Sequence, residues 1–239
     1  MNIYALNNLP QLIRDNTYVG RGIVIGKTPD AKRAMLAYFI MGRSENSRNR
    51  VFTEEDGVVY TRPFDESKVE DPSLIIYAAL RRVGSCLIVT NGDQTDTAAE
   101  GVRQGISFGD ALKSRCFEPD APNLTPRISG ALYFADGDFR YEMSILKSAD
   151  AAGTACNRYL FSYEALPGLG HFLHTYVCDG DPIPTFQGEP ERMAMSDDLD
   201  GFTSSLWDSL DPDNKISLYV RYTDPATGAF EDRLINKYL

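Results

Sequence analysis

Three times along this 239-residue chain, two strand-like runs face each other across a short turn. Val19–Lys27 and Ala34–Met41 flank Thr-Pro-Asp-Ala-Lys-Arg. Ile128–Phe134 and Phe139–Ile145 flank Ala135-Asp136-Gly137-Asp138, and Ile216–Tyr222 and Phe230–Asn236 flank Thr-Asp-Pro-Ala-Thr-Gly-Ala. Parallel strands need a crossover of about a dozen residues or more, so turns this short impose antiparallel pairing. Val58–Thr61 and Ser85–Thr90 read as further strands. Helical spacing predicts helices over Pro72–Val83 with Asp71 as cap, over Thr97–Gln104, over Ser107–Arg115 with Ser107 as cap, and over Asp197–Ser209. Thr97 and Glu100 have the form of a capping box. Hairpins with helices between them imply an α+β layered protein of antiparallel sheets, not a doubly wound parallel fold. Glycine and proline are scattered and no repeat occurs, so residues 1–239 are read as a single domain.

Composition narrows the function. With 43% hydrophobic residues the chain can bury a sizeable core. A net charge of −10 repels a phosphate backbone and argues against nucleic acid as partner, though local arginines can still hold a small phosphorylated ligand. No run of eighteen apolar residues and no secretory layout is present, so a cytoplasmic protein without membrane contact is expected. Cys86, Cys116, Cys156 and Cys178 lack zinc-site spacing and are expected as buried or half-buried thiols in a reducing compartment. His171 and His174 form H-x-x-H without a completing ligand, which favours core histidines over a metal site.

Candidate binding residues are mainly arginines. Arg43, Arg48 and Arg50 fall within eight residues in Gly-Arg-Ser-Glu-Asn-Ser-Arg-Asn-Arg, a stretch suited to a phosphate or carboxylate, though a solvated loop is the commoner use of such a cluster. Arg21 and Arg127 stand at strand starts beside Gly or Pro, where a pocket mouth or a surface ion pair would use them. The stretch Leu87–Thr97 runs from an apolar strand into Asn91-Gly92-Asp93-Gln94-Thr95-Asp96-Thr97, a turn and helix start whose free N–H groups attract anions. G-x-G-x-x-G, the P-loop and the G-x-S-x-G elbow are absent.

Gly-Arg-Gly near the start, then RSENSRNR, DPSLIIY, VTNGDQTDT, FEPDAPNLTPRI and DGDPIPTFQGEP occur in this order. The series, from Tyr18 to Pro190, resembles the stand-alone IMP cyclohydrolase family. The resemblance implies a four-layer α-β-β-α sandwich like that of the N-terminal nucleophile hydrolases, used without an N-terminal nucleophile. It implies closure of the formylated aminoimidazole carboxamide ribonucleotide (FAICAR) to IMP and water, with no cofactor or metal. On the family's motifs the catalytic residues fall on Arg50, Tyr77 and Glu118, with Tyr77 one helical turn from Ser73. Asn91, Asp93, Thr95 and Asp96 would line the nucleotide site, Arg21 and Arg127 would contact phosphate or base, and Arg43 and Arg48 would be reserve phosphate ligands. The partner is then a small purine nucleotide, and a homo-oligomer is compatible with it. The alternatives are an amide hydrolase acting on a related purine or carboxamide compound and a non-catalytic purine-nucleotide-binding protein.

Overall fold

The computed structural model describes residues 2–69 and 75–239. Among them, thirteen strands build two antiparallel sheets. The first runs in the order β11 (Glu191–Ala194), β10 (Leu169–His174), β1 (Arg21–Lys27), β2 (Ala34–Met41), β12 (Lys215–Thr223), β13 (Phe230–Asn236). The second follows chain order: β3 (Val51–Glu55), β4 (Val58–Arg62), β5 (Tyr77–Val83), β6 (Cys86–Thr90), β7 (Arg127–Ala135), β8 (Asp138–Ser148), β9 (Cys156–Glu164). The helices are α1 (Leu9–Ile13), α2 (Glu45–Arg48), α3 (Gln94–Arg103), α4 (Phe108–Leu112) and α5 (Leu199–Ser209).

Three apolar clusters stack these elements. Ile23, Ile25, Leu36, Tyr38 and Ile40 meet Val89, Ile128, Leu132 and Met143 between the sheets. On the outer face of the first sheet, Leu9, Ile13, Phe202 and Leu206 cover Val24, Phe39 and Leu218. On the outer face of the second, Ala98, Ala99, Phe108 and Leu112 cover Ile88 and Ala131. The result is the expected four-layer α-β-β-α sandwich. Burial on both faces explains why β2 is apolar throughout: Leu36, Tyr38 and Ile40 point between the sheets, while Met35, Ala37 and Phe39 point to the helices.

All three hairpins form, and Asp136 (φ 53°) and Gly137 (φ 77°) make the left-handed turn that β7 and β8 need. Ser107 caps α4 by accepting from the Asp110 N–H, as expected. Two helix expectations are corrected. The helix over Pro72–Val83 is the strand β5 from Tyr77 onward, because β4 and β6 pair with it on both sides; Asp71 and Ser73 lie outside the described residues. A short apolar run carries no periodicity that separates strand from helix, so tertiary pairing decides. Thr97 is also not a cap: α3 starts at Gln94 after Asp93, and Thr97 lies inside it. The strands β3, β9, β10 and β11 were not foreseen.

The thiols divide. Cys86 is buried and burial pushes it up to about 12, and Cys156 is half-buried, but Cys116 and Cys178 are exposed, contrary to expectation. The histidines are core groups. His171 Nδ1 lies 2.6 Å from the Tyr141 hydroxyl, and the ring stacks on Tyr163 at 3.6 Å. His174 Nδ1 meets the Tyr176 carbonyl at 2.7 Å. No helix of the described residues is long and apolar enough to cross a membrane.

Burial, and then Arg192, lower the His171 pKa from 6.5 to about 4. The unfolded chain therefore takes up a proton that the folded chain refuses, and this group costs stability as pH falls from 6.5 toward 4. His171→Gln should flatten the fall of Tm with pH across that window, read by thermal unfolding of both proteins. Parallel Tm profiles would remove His171 from the account.

Candidate active site

At the end of the sandwich where β1 begins and β2 ends, a cavity of about 270 Å³ opens. It is just below the range of roughly 300–1,000 Å³ usual for small-molecule sites. Tyr18, Arg21, Arg43, Arg50, Glu118 and Tyr176 are among its lining residues. Arg21 is the first residue of β1, and its own N–H is fixed on Thr175 Oγ1 at 3.1 Å. Arg50 sits between α2 and β3. The two side chains are 6% and 5% exposed, which is rare for arginine and points to a site rather than a surface.

Behind them, outside the cavity lining, stand two phenols. Tyr77, the first residue of β5, and Tyr38, central in β2, bring their hydroxyls to 3.2 Å across the inter-sheet core. Both feel the charges of Arg21 and Arg50. Burial alone would lower the Arg21 pKa, but Tyr18, Glu118, Tyr176 and Tyr77 outweigh it and raise it. For Arg50, burial and then the charge of Arg21 lower it. Both remain cationic at neutral pH, because a guanidinium starts from about 12 or above.

Glu118 follows α4 in the loop that leads to β7, held by its N–H on the Thr125 carbonyl at 2.9 Å. Burial raises its pKa, and the opposing pull of Arg21, Arg127 and Arg50 does not cancel that rise. A carboxyl of this kind can hold or release a proton nearer neutrality than an ordinary glutamate. Beside it, the Thr125 hydroxyl joins Asp120 to the Tyr176 hydroxyl, the latter at 2.5 Å. Ser44 and Ser47 are tied into the reciprocal cap of α2.

The remaining expected residues are placed differently. Arg43 lines the rim, lies over the Tyr18 ring, and binds Asp179 and the Gly180 carbonyl. Arg48 faces away, bonded to the Gly42 carbonyl at 3.1 Å and Asn214 at 3.0 Å. Asn91, Asp93, Thr95 and Asp96 are not among the residues that line this cavity. Asn91 accepts the Ile128 N–H and donates to the Pro126 carbonyl, both at 2.9 Å. Thr95 is bonded to Thr90 at 2.6 Å, and Asp96 is paired with Arg81. These bonds tie α3 and the turn before it to β5, β6 and β7.

That joint still serves the site. Arg127 does not line the cavity, but Asp93 and Gln94 each bind its Nη1 at 2.7 Å, and its charge acts on Glu118. A Cβ at Gly92 would fall 2.5 Å from that nitrogen, so only glycine lets the guanidinium pack against the turn. Asp93 is also paired with Arg115; burial works to raise its pKa, but Arg115 and Arg127 together hold it below the usual carboxylate value. Sequence reasoning missed Tyr18, Tyr38, Asp120, Thr125 and Tyr176. Asp120 and Thr125 do lie within FEPDAPNLTPRI; Tyr38 gave no signal inside an apolar run.

A wider depression of about 640 Å³ lies along the β9–β10–β11 edge, near Tyr163, His171 and Arg192. The paired buried guanidiniums lie in the cavity at the end of β1.

Two buried guanidiniums, a phenol pair and a carboxyl of raised pKa stand together, an arrangement whose chemistry suits an anionic small molecule and proton transfer. The sequence pattern of a family described as IMP cyclohydrolase-like protein matches residues 18–228. An IMP cyclohydrolase of Methanopyrus kandleri is 35% identical over 184 residues, covering 71% of this chain and 89% of its own. One of Methanococcus aeolicus is 30% identical over 173 residues, 67% of this chain and 75% of its own. One of Methanococcus maripaludis is 32% identical over 161 residues, covering 62% and 75%. The chain belongs to the IMP cyclohydrolase-like family, and the match extends past Pro190 through β12 into the turn that follows it.

Replacing Arg127 by glutamine removes a cation that lowers the Glu118 pKa. Arg127→Gln should therefore raise that pKa further, measured by NMR titration of carboxyl-labelled glutamate. An unchanged or lower value would show that Arg127 does not act on Glu118.

Proposed function

We propose that this chain closes FAICAR to IMP with release of water. The observation that carries the reading is a carboxyl raised by burial lining the same cavity as two buried arginines. The names of the relatives support the substrate.

The reaction needs the carboxamide nitrogen brought to the formyl carbon, and a C–N bond forms as the formyl oxygen takes a proton. The hydroxyl then leaves as water while the formamide nitrogen gives up its proton and forms the C=N bond; the carboxamide nitrogen keeps its second hydrogen in the ring. Holding both groups in one conformation supplies a large share of the barrier, up to about 7–11 kcal/mol for well-aligned reactants. Arg21 and Arg50 supply positive charge where the substrate is anionic or where the formyl oxygen gains charge. One well-placed donor at a developing oxyanion contributes about 3 kcal/mol. Tyr77 donates to that oxygen. Glu118 takes the proton from nitrogen as carboxylate and returns it to the departing hydroxyl as acid; its raised pKa suits both turns. The hydroxyls of Ser44, Ser47 and Thr125 are engaged in local bonds, which gives a nucleophilic amide hydrolase no support.

Purified protein incubated with FAICAR should form IMP, followed by absorbance. Binding of IMP without turnover would replace this reading with that of a nucleotide-binding protein. Arg50→Ala, Tyr77→Phe and Glu118→Gln should each lower kcat/KM by on the order of a hundredfold with Tm retained. Full activity in all three would refute the site.

The acid limb of the kcat/KM profile should lie above the ordinary glutamate value of 4.5, because the Glu118 pKa is raised and the base form is required for attack. Glu118→Gln should abolish that limb. A limb at or below 4.5, or one that survives the substitution, would take the base role from Glu118.

A further inference from the structure

Tyr38 is 1% exposed, in the middle of β2. Ile23 of β1 and Tyr219 of β12 pair with it on either side, and its ring packs against Phe52 at 5.3 Å. Its hydroxyl reaches Tyr77 Oη at 3.2 Å. The geometry alone allows either phenol to donate. Arg21 and Arg50 act on both hydroxyls, and a guanidinium only donates hydrogen bonds, so neither phenol finds an acceptor there. What separates the two is the substrate, which the reaction proposed above offers to Tyr77 and not to Tyr38. A buried O–H needs an acceptor, and the Tyr77 oxygen is the one within reach among the described residues. Burial, with Tyr77 next, raises the Tyr38 pKa, so this phenol keeps its proton.

We propose that Tyr38 is a positioning residue: its hydroxyl donates to Tyr77 Oη and so leaves the Tyr77 proton to point out of the core, making Tyr77 an obligate donor to substrate. The assignment rests on the reaction proposed above. It explains why these two buried hydroxyls meet: one sets the direction of the other. Without Tyr38, the Tyr77 hydroxyl is free to rotate and offer its lone pairs to the guanidiniums instead.

The test is a double-mutant cycle on FAICAR closure with Tyr38→Phe, Tyr77→Phe and the double variant. Tyr38→Phe should lower kcat about tenfold, the equivalent of one net hydrogen bond, with KM unchanged. The double variant should match Tyr77→Phe alone, since Tyr38 acts only through Tyr77. Wild-type kcat in Tyr38→Phe, a loss confined to KM, or losses that multiply in the double variant would overturn the assignment while leaving the reaction standing. No turnover by the wild-type protein would remove the reaction and this assignment together. Should Tyr38→Phe fail to fold, 3-fluorotyrosine at position 38 keeps the hydroxyl and supplies a stronger donor. Its kcat should equal or exceed that of wild type, and a fall would overturn the assignment.

Discussion

Two positive charges taken out of water between two sheets are the constraint on which this structure depends. A guanidinium at 5–6% exposure pays a large desolvation cost unless acceptors and partial negative charge surround it. Arg21 and Arg50 also repel each other, and burial together with the Arg21 charge lowers the Arg50 pKa. The arrangement that tolerates them includes Glu118 and the phenols of Tyr18, Tyr77 and Tyr176. Each is supplied by a different part of the chain, and each is held by the layer behind it. An anionic ligand entering this cavity would meet charge already concentrated and already dehydrated, so little reorganisation is left for the moment of reaction.

Support for the cavity comes from residues that never reach it. Asp93, Gln94 and Gly92 hold Arg127 against the turn after β6, and Arg127 in turn acts on Glu118. Asn91 ties that turn to the start of β7. Polar residues clustered at a strand end can thus belong to a site without facing its ligand. They fix the charge that fixes the carboxyl.

Much of this was legible in the sequence where the information is local. The hairpins follow from turn residues between alternating or apolar runs, and Ser107 announces α4 through a cap that needs only its own side chain. Arg21, Arg50, Tyr77 and Glu118 were nameable through the motif series; Arg21, Arg50 and Glu118 line one cavity, and Tyr77 lies near enough to act on both guanidiniums. What could not be read is non-local. Tyr-Ala-Ala-Leu-Arg-Arg-Val has helix-forming residues, and only the neighbours β4 and β6 make it a strand. Asn91 looks the same in a sequence whether it faces a ligand or the Pro126 carbonyl. Tyr38 is hidden because both faces of β2 are covered, so a phenol with a partner reads like any other large apolar side chain.

The order of the first sheet has a consequence for how the molecule is made. β2 lies between β1, its immediate predecessor, and β12, which is synthesised far later. Until Lys215–Thr223 has emerged, one side of β2 is an unpaired edge of apolar residues, the kind of surface that recruits other chains. Closing so long a loop is entropically slow, and sheets built from distant segments fold slowly as a class. The strand that carries Tyr38 is therefore completed late, and the site cannot mature on the nascent chain ahead of its last hairpin. A newborn copy would spend that interval dependent on protection from its neighbours, long before it meets a substrate.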